Sequence, residues 1–273
     1  MSSKSNWFLQ FFNNEEDDYT YNKDNKKTSE CPPIFVSKVY LINDSGGKVS
    51  DSQCEAIIEA LNIQLITFCN DLSLKPVRVE RKITPPPGSY QLYITNDTTK
   101  TVGDAYGYHN HPDNDGSIKA YICANVILDT TKPDRINNGI LTSNGATGTS
   151  VSRVVSRELL EIISNSGSNK LYYAPASLLI IRQNKTSPPI TFPSGTYLPV
   201  CAEISHAVNQ QSYTIIISDS SKVEVSDYVL PSWFIENGKS PFNYNNSLTA
   251  PFQLSTSGYY STDSSNIYSI KYN

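Results

Sequence analysis

The residues of this sequence whose types and spacing could do chemistry together are Arg157, Glu158 and Glu161. These three sit in Ser156-Arg157-Glu158-Leu159-Leu160-Glu161, inside a segment whose apolar residues Val151, Val155, Leu159 and Ile162 recur at helical steps. On that helix Arg157 and Glu161 are four apart and Glu158 and Glu161 three apart, so all three can converge on one side. Two carboxylates with a guanidinium are ordinarily a solvated face or a surface salt bridge. In a cleft the same groups could hold a cation or exchange protons. Three other places suggest chemistry less strongly. His109-Asn110-His111 could put two imidazoles on one strand face, but Pro112 and the neighbouring Asp, Asn and Gly residues favour a loop with solvated histidines. Cys201 near His206 has the residue types of a nucleophile and base, although a lone cysteine beginning a β-type segment is usually core. Gly145 to Ser150 precede the helix and could meet an anion at its N-terminus, but no Walker lysine follows and a plain loop is the simpler reading.

The wider sequence gives the helix a context. The chain resembles a widespread group of bacterial and phage proteins with a zincin-like helix of the form S-H-E-x-L-E. Later segments of that group read E-V-C-D, then V-S-[DN]-[FY]-V-x-P-x-W-F, then P-F-x-L-x-x-G-G-Y. Here they correspond to Glu203-Ile204-Ser205-His206, to Val225-Ser226-Asp227-Tyr228-Val229-Leu230-Pro231-Ser232-Trp233-Phe234, and to Pro251-Phe252-Gln253-Leu254 running on to Gly258-Tyr259. Val39 to Asn43, Val49-Ser50-Asp51 and Gly107-Tyr108-His109 are similar as well, so the resemblance runs in order from about Val36 to Tyr259. The Val225 to Phe234 block is its most specific part. The resemblance implies a zincin/metzincin-like α+β fold. In zincins a His-Glu pair on a helix supplies a metal ligand and the adjacent general base, with a further ligand one turn away.

The departures from the pattern fall at the chemistry. Arg157 stands where the family has its metal histidine, and His206 stands where it has an aspartate; the Asp-Pro that ends the helix is Asn165-Ser166. A guanidinium stays protonated and has no lone pair for zinc. Without the first ligand, Glu158 has no metal-bound water to deprotonate. The resemblance therefore implies a retained scaffold, a lost reaction and no cofactor. The alternative is a re-ligated zinc site built from His206, Glu158 and Glu161, with Glu203 as a further donor.

Around these residues the chain predicts a mixed sheet, two main helices, long polar loops and a β-rich C-terminal half. Ile34 to Ile42 reads as a buried strand, and Ser50 to Leu72 as the best helix, with capping-box spacing at Ser50 and Gln53 and a stripe of Cys54, Ile58, Leu61, Leu65, Phe68 and Leu72. Strands follow at Pro76 to Ile83 and Tyr90 to Ile94, giving a β-α-β-β opening, then at Ile118 to Leu128. After the second helix, capped by Gly167, strands are expected at Tyr172 to Arg182, Tyr197 to Ile204, Ser212 to Ile217 and Val223 to Leu230. Residues 1 to 33 read as a flexible N-terminal arm and 34 to 273 as a single domain. The arm carries an aromatic cluster, Trp7, Phe8, Phe11 and Phe12, ahead of an acidic run from Glu15 to Asp18; it suits docking onto a protein partner.

Composition narrows the function class. Eighteen tyrosines against one methionine, with 38% hydrophobic and 18% charged residues, favour sheets and polar loops over helical bundles. A net charge of −4 without clustered lysines and arginines argues against nucleic acid as partner. No apolar stretch has the ~18 residues of a membrane span and the N-terminus shows no signal peptide, so a cytoplasmic location is expected. Five scattered cysteines without a C-x-x-C fit reduced thiols. The Asn-, Lys-, Ile- and Tyr-rich style resembles AT-rich genomes, among them large DNA viruses and phages, and points to a virion or host-cytoplasm role with other virion proteins as partners. The expected function is a non-catalytic zincin-like domain acting as a structural or interaction protein. Two alternatives stand: a metal-dependent hydrolase or peptidase using the re-ligated site, and a glycan- or peptide-binding module using Trp233, Phe242 and Tyr259.

Overall fold

The computed structural model describes residues 37–110, 112–145, 147–165, 171–175, 191, 193–201 and 203–259. The N-terminal arm with Trp7, Phe8, Phe11 and Phe12, as well as His111 and Gly167, lies outside them.

The first half builds a mixed sheet. Strands β1 (Ser37–Asp44), β2 (Val77–Arg81), β3 (Tyr90–Thr95), β4 (Gly107–His109) and β5 (Ile118–Cys123) lie in the order β2-β1-β3-β5-β4. All neighbours are parallel except β4, which runs antiparallel along β5 at the edge. Parallel pairing demands crossovers, and helix α1 (Asp51–Asp71) supplies the one between β1 and β2. Its start was legible: Ser50 caps the helix and exchanges bonds with Gln53 in a full capping box. The predicted stripe from Cys54 to Leu72 is buried throughout. The strand expected to run to Leu128 instead stops at Cys123 and turns into a short helix, α2 (Ala124–Ile127).

Helix α3 (Val151–Asn165) packs against β3, β4 and β5, and buries Val151, Val155, Leu159 and Ile162 completely. Two antiparallel pairs follow, β6 (Leu171–Pro175) with β7 (Tyr197–Cys201), and β8 (Ser212–Ile216) with β9 (Lys222–Ser226). The β9 strand packs on both long helices. One hydrophobic cluster runs from Val39 on β1 to Leu254 near the C-terminal end of the described residues. The architecture is α+β, with a mixed sheet and three α-helices among the described residues.

The sequence block from Val225 to Phe234 acts as a clasp. Gln64 of α1 donates to the Ser226 carbonyl at 2.8 Å and accepts from Ser156 of α3 at 2.6 Å, while the Ser226 amide donates to Ser156 Oγ at 3.0 Å. Asp227 is fully buried and accepts bonds from Asn243 and from the Tyr228 amide. Tyr228 Oη donates to Asp71 at 2.8 Å, and Trp233 Nε1 donates to the Gln253 carbonyl. Each of these buried polar groups of the clasp thus has a partner, as the interior requires. Trp233 is 0% exposed and Phe242 is likewise buried, so these two rings belong to the core and not to a glycan- or peptide-binding surface. Cys54, Cys69 and Cys123 are free and buried.

Candidate functional site

Three separate pieces of chain meet over one face of α3. The helix presents Arg157, Glu158 and Glu161. The edge strand β4 presents His109. A turn just past β7 presents Glu203 and His206, and the segment 255–259 lays Tyr259 on top. Two glycines permit this approach. A side chain at Gly107 would stand 2.7 Å from Val154 Cγ1 and 3.0 Å from Glu158 Oε1, so β4 can lie against the helix only without one. At Gly258 a Cβ would sit 2.2 Å from the Ala207 carbonyl oxygen; its absence lets Ser255 and Tyr259 donate backbone bonds to Ala207 and His206.

The carboxylates are not on a solvated face. Glu158 and Glu161 are each 1% exposed. Arg157 donates from Nε to Glu161 Oε1 at 2.9 Å and from Nη2 to Tyr259 Oη at 2.8 Å. His109 Nδ1 lies 3.1 Å from Glu158 Oε2 and 3.9 Å from Glu161 Oε2, and its Nε2 lies 3.5 Å from Glu203 Oε1. His206 Nε2 contacts Glu203 Oε2 at 2.5 Å and lies 3.8 Å from Glu161 Oε1. The His206 ring packs against Tyr259 with centroids 4.3 Å apart.

Burial and charge set the protonation states. Burial raises the Glu161 carboxyl well above its ordinary range, and the Arg157 guanidinium counters this only in part because Glu158 and Glu203 repel further charge. Glu203 moves the other way: burial disfavours its charge, but the His206 hydrogen bond and the nearby His109 and Arg157 hold it down to about 2. Burial likewise works against the His109 cation, yet the bond to Glu158 and the surrounding carboxylates raise it to about 9. Burial wins at His206 and lowers it despite Glu203. A neutral His206 donates from Nε2 to Glu203, which leaves Nδ1 as a buried acceptor with no hydrogen-bond partner among the described residues. Burial raises Tyr259 to about 12, so its phenol remains a neutral acceptor for Arg157.

All five positions singled out in the sequence, Arg157, Glu158, Glu161, Glu203 and His206, are therefore brought together. His109 was set aside as a loop histidine and belongs with them: Gly107–His109 is a strand, and the ring is turned onto α3. Its sequence signals are the alternate spacing of His109 and His111 and the Gly107-Tyr108-His109 resemblance to the zincin-like group. The side chain of Cys201 lies outside the described residues. The α3 N-terminus offers no anion site through its backbone, because the amides of Val151, Ser152 and Arg153 already donate to Gly139 O, Ile140 O and Ser150 Oγ.

A metal would need donors that face one point. One set has that geometry among the described residues, with ligand atoms of His109, Glu161 and Glu203 all within 4.8 Å of one another. The set expected from the sequence, His206 with Glu158 and Glu161, is less suitable because His206 Nε2 is engaged by Glu203. Both sets include Glu161, whose Oε1 already carries the Arg157 guanidinium at 2.9 Å. Comparison with protein-family models, curated proteins and solved structures finds no match for this chain.

Proposed function

We propose that the chain is a non-catalytic, zincin-like domain in which Arg157 stands in for a metal ion, and that it serves as a structural or interaction protein. The observation that carries the reading is the pairing of Arg157 with Glu161 and Tyr259 in the middle of a buried His/Glu cluster. A zincin-like fold would place this helix face on the floor of its cleft, and the carboxylates gathered there need a cation. A guanidinium supplies one through a planar fork and cannot activate water as zinc does. The interaction role draws on the aromatic arm around Trp7, Phe8, Phe11 and Phe12, and a virion or host-cytoplasm setting follows only from the compositional likeness to AT-rich viral and phage genomes.

The second reading is a metal-dependent hydrolase in which Arg157 swings off Glu161 and His109, Glu161 and Glu203 become the ligands. Elemental analysis separates the two. Protein purified without chelators is expected to hold well under one zinc per chain. A content near one, lost on His109→Ala or Glu203→Gln, overturns the non-catalytic reading and supports the hydrolase.

A further inference from the structure

Beside the cluster, the N-terminal half of α3 faces a cavity of about 480 Å³, of the size that holds a small organic ligand. Arg153 and Arg157, one turn apart, line it together with Tyr259, Asn209 and Gln210. The charged groups of the cavity are unevenly partnered. Its two acidic lining residues, Asp104 and Asp134, already face Arg135: Arg135 Nη2 donates to Asp104 at 2.8 Å, and its Nε lies 3.8 Å from Asp134. Arg153 is far less well served. Its side chain is only 12% exposed, and its two contacts share one nitrogen: Nη1 reaches the Gly148 carbonyl at 3.3 Å and Glu224 Oε1 at 3.5 Å. A charge-assisted bond is normally about 2.7–2.9 Å. Glu224 cannot come closer cheaply, because its two oxygens accept from Ser212 Oγ at 2.6 Å and from the Ser143 amide at 2.9 Å. Burial works against the Arg153 cation, Glu224 offsets this only in part, and the neighbouring Arg157 charge adds to the cost.

We infer that this cavity is a binding site for a small organic acid, whose carboxylate lies between the guanidinium groups of Arg153 and Arg157. The ligand would supply the close, two-pronged anion contact that Glu224 does not give Arg153, and the planar fork matches a carboxylate edge. A monoanion fits better than a phosphate dianion. Arg157 is already engaged by Glu161 and Arg153 loosely by Glu224, and Asp104 and Asp134 at the wall, which share one arginine between them, repel a second negative charge. The amides of Asn209 and Gln210 on the same wall suit a ligand with hydroxyl or amide groups next to the acid. The inference is independent of whether the His/Glu cluster turns over a substrate.

Isothermal titration calorimetry on the full chain tests this, with glucuronate and N-acetylglycine as acids, glucose as a neutral control and inorganic phosphate as the competing anion. Saturable heat is expected with at least one acid, none with glucose, and weaker binding of phosphate. Arg153→Lys, which keeps the cation but loses the fork, should weaken the acid by about tenfold or more. In the wild-type chain the bound acid should also slow modification of Arg153 by phenylglyoxal, read by peptide mass, a result that needs no folded variant. No saturable binding of either acid, unchanged affinity in Arg153→Lys, or an unprotected Arg153 would each overturn the proposal. Tighter binding of phosphate than of both acids would overturn the carboxylate assignment.

Discussion

At Arg157 two different guanidinium nitrogens serve two different partners, Glu161 and Tyr259, while His109 holds Glu158 and His206 holds Glu203. Each acid in the cluster has its own basic partner, and the two imidazoles settle into opposite states. His109 is raised to about 9 in the folded chain, above the ordinary value of 6.5, so the folded state binds its proton more tightly than the unfolded state. The stability it contributes is fully present below pH 6.5 and is lost as the pH rises through about 9. His206 is lowered, so its contribution is present above pH 6.5 and lost on acidification. Thermal unfolding followed between pH 6.5 and 9 should therefore show a falling midpoint in the wild-type chain and a flatter profile in His109→Gln. An equal fall in both would remove His109 from the cluster. Composition and spacing predicted the helix residues of this site, because an i, i+3, i+4 pattern fixes a face. They could not predict that the face is buried, since burial depends on what β4 and the turn after β7 lay over it.

At the scale of the element, β4 is three residues long, too short for the alternation at His109 and His111 to outweigh Pro112 and the loop-forming residues beside it. Its placement depends on a missing side chain. Gly107→Ala would put a methyl group 2.7 Å from Val154 Cγ1 and 3.0 Å from Glu158 Oε1, so the edge strand must move off α3. Denaturant unfolding should show a loss of about 1–3 kcal/mol, as for other overpacked contacts, with the His109 titration drifting back towards its ordinary range. A neutral substitution would mean that β4 is not seated on the helix as described. Longer elements were easier to read. The Ser50–Gln53 box and the stripe from Cys54 to Leu72 specify α1 with little help from elsewhere. The apolar run through Cys123 to Leu128 has no clear period, so a strand and a short helix could not be told apart until the end of the sheet was known. The Val225 to Phe234 block stood out in the sequence, and its content is structural: a clasp across α1 and α3 with Trp233 and Tyr228 buried beneath it.

Over the whole molecule, the larger hydrophobic cluster of the described residues spans Val39 to Leu254, and the polar, aperiodic composition of the first thirty or so residues leads us to expect that the folded unit does not need them. Limited proteolysis is expected to trim the arm and leave a core beginning between residues 34 and 37, with an unchanged thermal midpoint. A lower midpoint for a chain lacking residues 1–33 would place Trp7, Phe8, Phe11 and Phe12 in the core. The central claim is that Arg157 does for this molecule electrostatically what a metal would do, and global unfolding tests it most directly. Removing the guanidinium strands the buried Glu161 beside Glu158, so Arg157→Ala should lose on the order of 3 kcal/mol at neutral pH by equilibrium denaturation. The loss should shrink as the pH falls and Glu161 takes up a proton. A change well under ~1 kcal/mol, flat with pH, is what an ordinary surface salt bridge gives, and it would contradict the account.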